Sequence, residues 1–378
     1  MNTRQLPLGS FLCAVFIQQI LLLMIAPSTL TTVSAATTSR NADDDGSLLI
    51  GAFNIQVLGQ AKFKKVEVVE TLVKILRRYD LVLIQEIRDS AQTVIGQILD
   101  AVNSGLSDKY EMVVSERLGR TNSKEQYAYF YKSSKLTLIT SYVYNDERGD
   151  VFEREPFIAY FESPTTAVDR FAMFGIHIKP TEAVEEINRL VEVYDDFVNR
   201  YRQKNVIIGG DFNADCGYVS KGILNDGLIL RTDTRFNWII PDDLDTTVAA
   251  SDCSYDRFVI AGDELNDNIV PGRTGAFYFD EIYGLDSGET RLVSDHYPIE
   301  MVIQGNLTPV LPLSHTTSGT VSCSGSFRAL VWLCLLVVAE ETDPSVCIGR
   351  LVESLTGEGS GVTDRCTEDW IKRYLELS

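Results

Sequence analysis

Long apolar runs of strand length recur along the chain, separated by stretches whose apolar residues fall three and four apart. SLLIGAFNI at 47–55 reads as a buried strand, residues 64–78 set Val66, Val69, Leu72, Val73 and Leu76 at helical spacing, and LVLIQEI at 81–87 reads as a second buried strand. A helix is predicted over 89–102. Aromatic and β-branched stretches at 110–115, 126–132, 136–144 and 157–161 predict further strands, several of them antiparallel neighbours. The pattern then repeats: FAMFGIHI at 171–178 predicts a strand, 181–201 an amphipathic helix, and NVIIGGDF at 205–212 another buried strand. Strands resume at 255–261 and end with HYPIEMVI at 296–303. Two halves that each mix buried strands with covering helices predict a four-layer α/β sandwich, with two mixed β-sheets packed face to face and helices outside.

The ends of the chain differ from this middle. Arg4, the apolar run from Phe11 to Ala26 and the small residues Val33-Ser34-Ala35 have the layout of a secretory signal peptide over 1–35, with a membrane-spanning helix as the alternative. A polar linker at 36–46 leads into the main domain at 47–305, and residues 306–378 form a C-terminal extension. Within the extension, Ser318-Gly319-Thr320, a polar spacer and the apolar run at 329–339 resemble a lipid-anchor signal, although such a signal should end the chain. Asn306-Leu307-Thr308 is a glycosylation sequon. The predicted location is therefore extracellular, secreted or alternatively lipid-anchored at the cell surface.

Composition narrows the chemistry. A net charge of −19 repels a polyanion, which argues against a protein that coats nucleic acid, whereas an acidic enzyme could still act on one through local arginines and bound cations. Among seven cysteines only Cys216 and Cys253 lie between residues 36 and 305, and an oxidising compartment would favour joining them. With no CxxC pattern and three histidines in all, a structural zinc site is not expected.

Polar residues interrupt the apolar runs at strand ends: Asn54 in GAFNI, Glu86 in LIQEI, Asp211 and Asn213 in IIGGDFN, and Asp295 before the last strand. A charge there is costly unless it is paired or binds a metal. All five offer hard oxygen ligands, which suit Mg²⁺, Mn²⁺ or Ca²⁺. Two of the three histidines, His177 and His296, also sit at strand ends beside carboxylates. Cleaving a phosphodiester needs a base to activate water, an acid for the leaving oxygen and cations for the developing charge.

These residues lie within a series of motifs. AFNI, LIQEIRDS, VVSERLGR, KEQY, REP, the histidine after FG, GDFNADC, CSYDR and SDHYP follow one another over 48–304 in the order found in deoxyribonuclease I and its secreted relatives, and the chain resembles that family. GDFN or SDHYP alone also occurs across the wider endonuclease/exonuclease/phosphatase superfamily; LIQEIRDS, LGR, KEQY, GDFNADC and CSYDR together are specific to this branch.

The resemblance implies a secreted, divalent-metal-dependent endodeoxyribonuclease that hydrolyses DNA to 5′-phosphate and 3′-hydroxyl ends. The alternative is another phosphoesterase of the superfamily, acting on a phospholipid headgroup or a sugar phosphate. It implies that Glu125 orients His177 and Asp256 orients His296, and that Asn54, Glu86, Asp211, Asn213 and Asp295 hold a catalytic Mg²⁺ or Mn²⁺ and position phosphate. Arg88, Arg154 and Tyr255 would contact the DNA backbone, Cys216 and Cys253 would form the family's main disulfide, and Asp245 with Thr247 would hold a structural Ca²⁺. A second calcium segment would contain Asp150 and Glu155, but its loop is shorter and lacks a small disulfide. The chain has Ser123 where the family usually has a tyrosine that packs on minor-groove sugars. At the surface where some members grip actin, Val113 and Val114 remain while Met112 and Phe157 replace the usual residues, so actin binding does not carry over.

Overall fold

The longest apolar runs are hydrophobic throughout because the central strands lie in sheets covered on one face by helices and on the other by a second sheet. The computed structural model describes residues 45–146 and 149–306. The signal sequence, most of the linker, the lipid-anchor reading and the extension beyond Asn306 lie outside the described residues. Among the described residues, no helix is long and apolar enough to cross a membrane.

In the first half, β1 (Leu48–Leu58), α1 (Gln60–Phe63), α2 (Val66–Leu76) and β2 (Leu81–Ile87) form a crossover that leaves β1 and β2 parallel. There follow α3 (Val94–Asn103), β3 (Tyr110–Val114), β4 (Gln126–Lys132), β5 (Thr137–Val143) and β6 (Phe157–Glu162). A second crossover, β7 (Arg170–His177), α4 (Ala183–Tyr201) and β8 (Val206–Asp211), again joins parallel neighbours. The chain continues through α5 (Ile229–Thr232), β9 (Phe236–Trp238), β10 (Asp256–Ala261), α6 (Asp263–Asp267), β11 (Gly275–Ala276), α7 (Phe279–Tyr283), α8 (Ser287–Val293) and β12 (Ile299–Ile303).

The strands make two six-stranded mixed sheets, ordered β11-β12-β1-β2-β4-β3 and β5-β6-β7-β8-β10-β9. Ile50, Leu83, Tyr129, Met173, Ile207 and Phe258 meet in the layer between them. Leu72 and Ile75 of α2 and Ile98 of α3 cover the first sheet, and Ile187, Leu190 and Phe197 of α4 cover the second. The four-layer sandwich expected from the pattern is the observed fold.

Local differences have physical causes. α3 starts at Val94 and not at 89, because the buried Asp89 carboxylate accepts from the amides of Thr93 and Val94 at 2.7 and 3.0 Å and holds the preceding residues in a loop. α2 buries Val68, Leu72, Ile75 and Leu76, leaving Val66 62% exposed at its first position, so the apolar stripe is rotated from the predicted one. The last strand starts at Ile299; Pro298 has no amide to donate to a ladder. Phe157, expected at a surface, is buried between the sheets and stacks on Tyr129 at 5.5 Å. The short elements between 213 and 254 and between 262 and 295 have too few residues to show a period.

Candidate active site

Side chains alternate across a strand, so the residues that line the layer between the sheets share a parity. Leu48, Ile50 and Ala52 point into that layer from β1, and Asn54 continues the same set. Leu81 and Leu83 are followed by Gln85, Phe171 and Met173 by His177, and Ile207 by Asp211. On the antiparallel strands, Asp256 precedes Phe258 and Ile260, and Glu125 precedes Tyr127 and Tyr129. The site is the polar end of the inter-sheet core, where the apolar layer gives way to carboxylates, amides and imidazoles.

Glu86 breaks this parity, since Val82 and Ile84 face the helices. Its backbone is left-handed, with φ 58°, and the pairing of β2 with β4 shifts between Ile84 and Ile87. On β1, Gln56 and Val57 are also left-handed and the pairing shifts between Asn54 and Leu58. These bulges turn the Glu86 carboxylate toward Asn54. Left-handed non-glycine residues cost about 1–3 kcal/mol each, a strain that clusters at functional sites.

Asn54 Nδ2 lies 3.2 Å from Glu86 Oε1 and 3.2 Å from Asp211 Oδ2. Asp211 Oδ2 in turn stands 3.5 Å from His177 Nε2 and 3.6 Å from His296 Nε2. Behind His296, Nδ1 meets Asp256 Oδ2 at 2.7 Å in a buried hydrogen bond. Behind His177, Nδ1 is 3.2 Å from Glu125 Oε1, an ion-pair distance without hydrogen-bond alignment. Glu125 is also paired with Arg154 Nη1 at 2.8 Å and Arg88 Nε at 3.4 Å, and Arg154 Nε donates to the His177 carbonyl at 2.9 Å.

Electrostatics follow from this packing. Burial pushes the Glu125 carboxyl up, but His177, Arg154 and Arg88 outweigh it and hold the group at about 2. Burial pushes the His296 imidazole down, but Asp256, Asp211 and Asp295 raise it to about 10. Glu86, Glu125 and His177 form one set whose ligand atoms lie within 4.8 Å of one another, and Asp211, Asp256 and His296 form another. Asp295 lies 3.9 Å from His296 Nε2, and its Oδ1 is buried without a hydrogen-bond partner, as is Asp256 Oδ1. Orphaned carboxylate oxygens in a hard-oxygen donor set fit a divalent cation.

Asn213, left-handed with φ 48°, uses its side-chain amide to donate to the Ile178 carbonyl and so flanks Asp211. Tyr255 stacks near Tyr218 at 5.5 Å and lies 6.4 Å from the His296 ring, at the rim of the site. Arg154 keeps one buried guanidinium nitrogen, Nη2, without a hydrogen-bond partner. Ser123 is exposed in the loop before Glu125. Cys216 and Cys253 are joined. Asp245, Thr247 and Ser251 gather oxygens nearby: Thr247 Oγ1 stands 2.9 Å from Asp245 Oδ1 and 2.7 Å from the Ser251 carbonyl. Asp150 is exposed and pairs with Arg120. Asn306 is exposed, and its amide donates to the Pro164 carbonyl.

Several residues that shape the site were not singled out by the sequence. The Tyr127 hydroxyl accepts from the His177 amide at 2.8 Å across the inter-sheet layer. Thr246 Oγ1 accepts from the amides of Tyr255 and Asp256, and Ser294 Oγ donates to the Asn54 carbonyl at 2.6 Å. Lys62 donates to the carbonyls of Ile55 and Val293, tying β1 to the segment before Asp295. Glu186 is fully buried on α4. It had a visible signal, since it falls among Ala183, Ile187 and Leu190 on the apolar face of the helix.

Sequence comparison places this geometry among known proteins. The model of the endonuclease/exonuclease/phosphatase family matches residues 51–296. The chain is similar to Deoxyribonuclease-1 of Bos taurus, 41% identical over 261 residues that cover 68% of this chain and 92% of the relative. It is 40% identical to Deoxyribonuclease gamma of Mus musculus over 269 residues, covering 70% of this chain and 86% of the relative. In fold it resembles the crystal structure of humanized D. rerio TDP2, with a TM-score of 0.50 at 16% identity, covering 68% of this chain and 99% of that one. The chain belongs to the endonuclease/exonuclease/phosphatase family and, within it, to the deoxyribonuclease I family.

Proposed function

We propose that this protein is a secreted endodeoxyribonuclease that hydrolyses DNA to 5′-phosphate and 3′-hydroxyl ends with a divalent cation. The carrying observation is the Asp211 carboxylate set between His177 and His296, each imidazole backed by its own carboxylate, Glu125 or Asp256. Paired imidazoles of this kind can divide proton transfer: one takes the proton of the attacking water while the other gives a proton to the 3′ oxygen as its bond to phosphorus breaks. Glu125 and Asp256 stand behind the two rings and orient them, and the Asp256 charge favours the imidazolium form of His296.

Asn54, Glu86, Asp211, Asn213 and Asp295 would hold Mg²⁺ or Mn²⁺, which supplies neutralisation of the charge that develops on phosphate. Arg88, Arg154 and Tyr255 would bind the DNA backbone, the two guanidinium groups serving as donors to phosphate oxygens. A structural Ca²⁺ at Asp245 and Thr247 is supported by the oxygen cluster there. Secretion is supported by the Cys216–Cys253 bond, since disulfides persist in oxidising compartments.

The deciding experiment is plasmid nicking with Mg²⁺ or Mn²⁺, with and without EDTA, beside a sphingomyelin hydrolysis assay. Nicking that disappears in EDTA and returns with added metal is expected. Full nicking in excess EDTA, or headgroup release without nicking, overturns the proposal.

A further inference from the structure

We infer that Glu186 is a positioning residue for this site: its buried carboxylate fastens the backbone beside Arg154 to the backbone beside His177, so that both side chains converge on Glu125. Oε1 accepts from the Glu153 amide at 3.1 Å, and Oε2 accepts from the Lys179 amide at 3.3 Å. Glu153 is the immediate neighbour of Arg154, and Lys179 lies two residues beyond His177. The closed circuit runs on through Arg154 Nε to the His177 carbonyl, and through Arg154 Nη1 and His177 Nδ1 to the same Glu125 oxygen.

A fully buried carboxylate is expensive to keep, and Glu186 has no ion-pair partner within bonding distance among the described residues. Burial pushes its carboxyl up to about 7 despite the two amides, Arg154 and His177. An apolar residue would fill this face of α4 at lower cost, so the position uses what only a carboxylate offers, two acceptors on one planar group. An amide offers one acceptor and turns an N–H toward the second N–H. The first turn of α4 adds a favourable helix dipole for the negative form. A second tie, Lys179 Nζ to Glu153 Oε2 at 3.5 Å, joins the same segments nearer the surface, where water and salt weaken it.

The inference rests on the roles proposed for His177 and Arg154, and the test separates the two. Glu186→Gln and Glu186→Ala are compared with wild type for kcat and KM in plasmid nicking and for Tm, and Glu186→Gln is repeated in a His177→Ala background. Misplacement of reacting groups by about 1 Å can cost about 100-fold, so Glu186→Gln is expected to lower kcat by about 10- to 100-fold. KM should change less. In the His177→Ala background the same substitution should cost clearly less, because one of the two groups it positions is already gone and only the Arg154 side remains to be misplaced. Glu186→Gln at wild-type turnover overturns the inference, as does an equal fold loss in both backgrounds, which would mark a general destabilisation. If Glu186→Ala does not fold, the nearly isosteric Gln variant decides. Undiminished activity of His177→Ala alone would instead sink the catalytic reading.

Discussion

The Gln85 side-chain amide donates to the Ile176 carbonyl at 2.8 Å, across the layer between the two sheets. Each partner immediately precedes a site residue, Glu86 on one sheet and His177 on the other. This bond therefore ties the two halves of the site together across the sheets. Gly210, whose φ is +131°, packs against it: an added Cβ would press on the Ile176 carbonyl and lie 2.8 Å from Gln85 Nε2.

Gly210→Ala should thus be disruptive although it adds a single methyl group. Strain at a positive φ and overpacking each cost about 1–3 kcal/mol, so the variant should lose about 3 kcal/mol or more in urea unfolding with an unchanged m-value. A midpoint equal to wild type would show that the sheets can part here without cost.

His177→Ala and His296→Ala should each lose at least about 100-fold in turnover on plasmid DNA, the lower range for general acid–base catalysis. The double variant should lose far less than the product of the two losses, because the pair acts as a unit around Asp211. A folded single variant that keeps more than about a tenth of wild-type turnover would contradict these assignments.

Glu125 links stability to acid pH. Its folded carboxyl titrates at about 2 against an ordinary value of 4.5, so its pairing with His177, Arg154 and Arg88 stabilises the fold above pH 4.5. That contribution is lost as pH falls from 4.5 toward 2. Glu125→Gln should start from a lower Tm at pH 7, with Arg154 left uncompensated, and fall less steeply across that window. Parallel melting-temperature profiles for the two proteins would refute this linkage.

The Cys216–Cys253 bond closes 37 residues of sequence that carry Asp245 and Thr247. In the chain-entropy model such a loop is worth about 4 kcal/mol. Replacing both cysteines by serine should lower the urea midpoint and remove any protection from proteolysis that Ca²⁺ confers in the 241–255 region. Unchanged stability in the double serine variant would assign the bridge no structural weight.

Much of the fold was legible in the sequence for one reason: burial on both faces writes an unbroken apolar run. The spans 81–87 and 126–132 matched their strands residue for residue, and α4 was found from its spacing. The polar residues that end those runs were legible too, because Asn54 and Asp211 fall where an apolar side chain is expected, whereas Asp256 was legible only through the family motif CSYDR. Family motifs then supplied the pairing of each histidine with its carboxylate. Periodicity says that a residue is buried, however, and not what buries it. Only the packing of the two sheets decided that one Asp211 oxygen stands between two imidazoles held by β7 and the segment before β12, and that Phe157 lies in the core. The same packing placed Gln85 against Ile176 and brought Glu186 under Arg154 and His177. Glu86 needed a further step, a left-handed residue in a bulged strand, which no alternation of polar and apolar positions records. Gln85 and Ile176 are 91 positions apart and Glu153 and Glu186 33, at distances set by sheet and helix packing and not by neighbours in the chain.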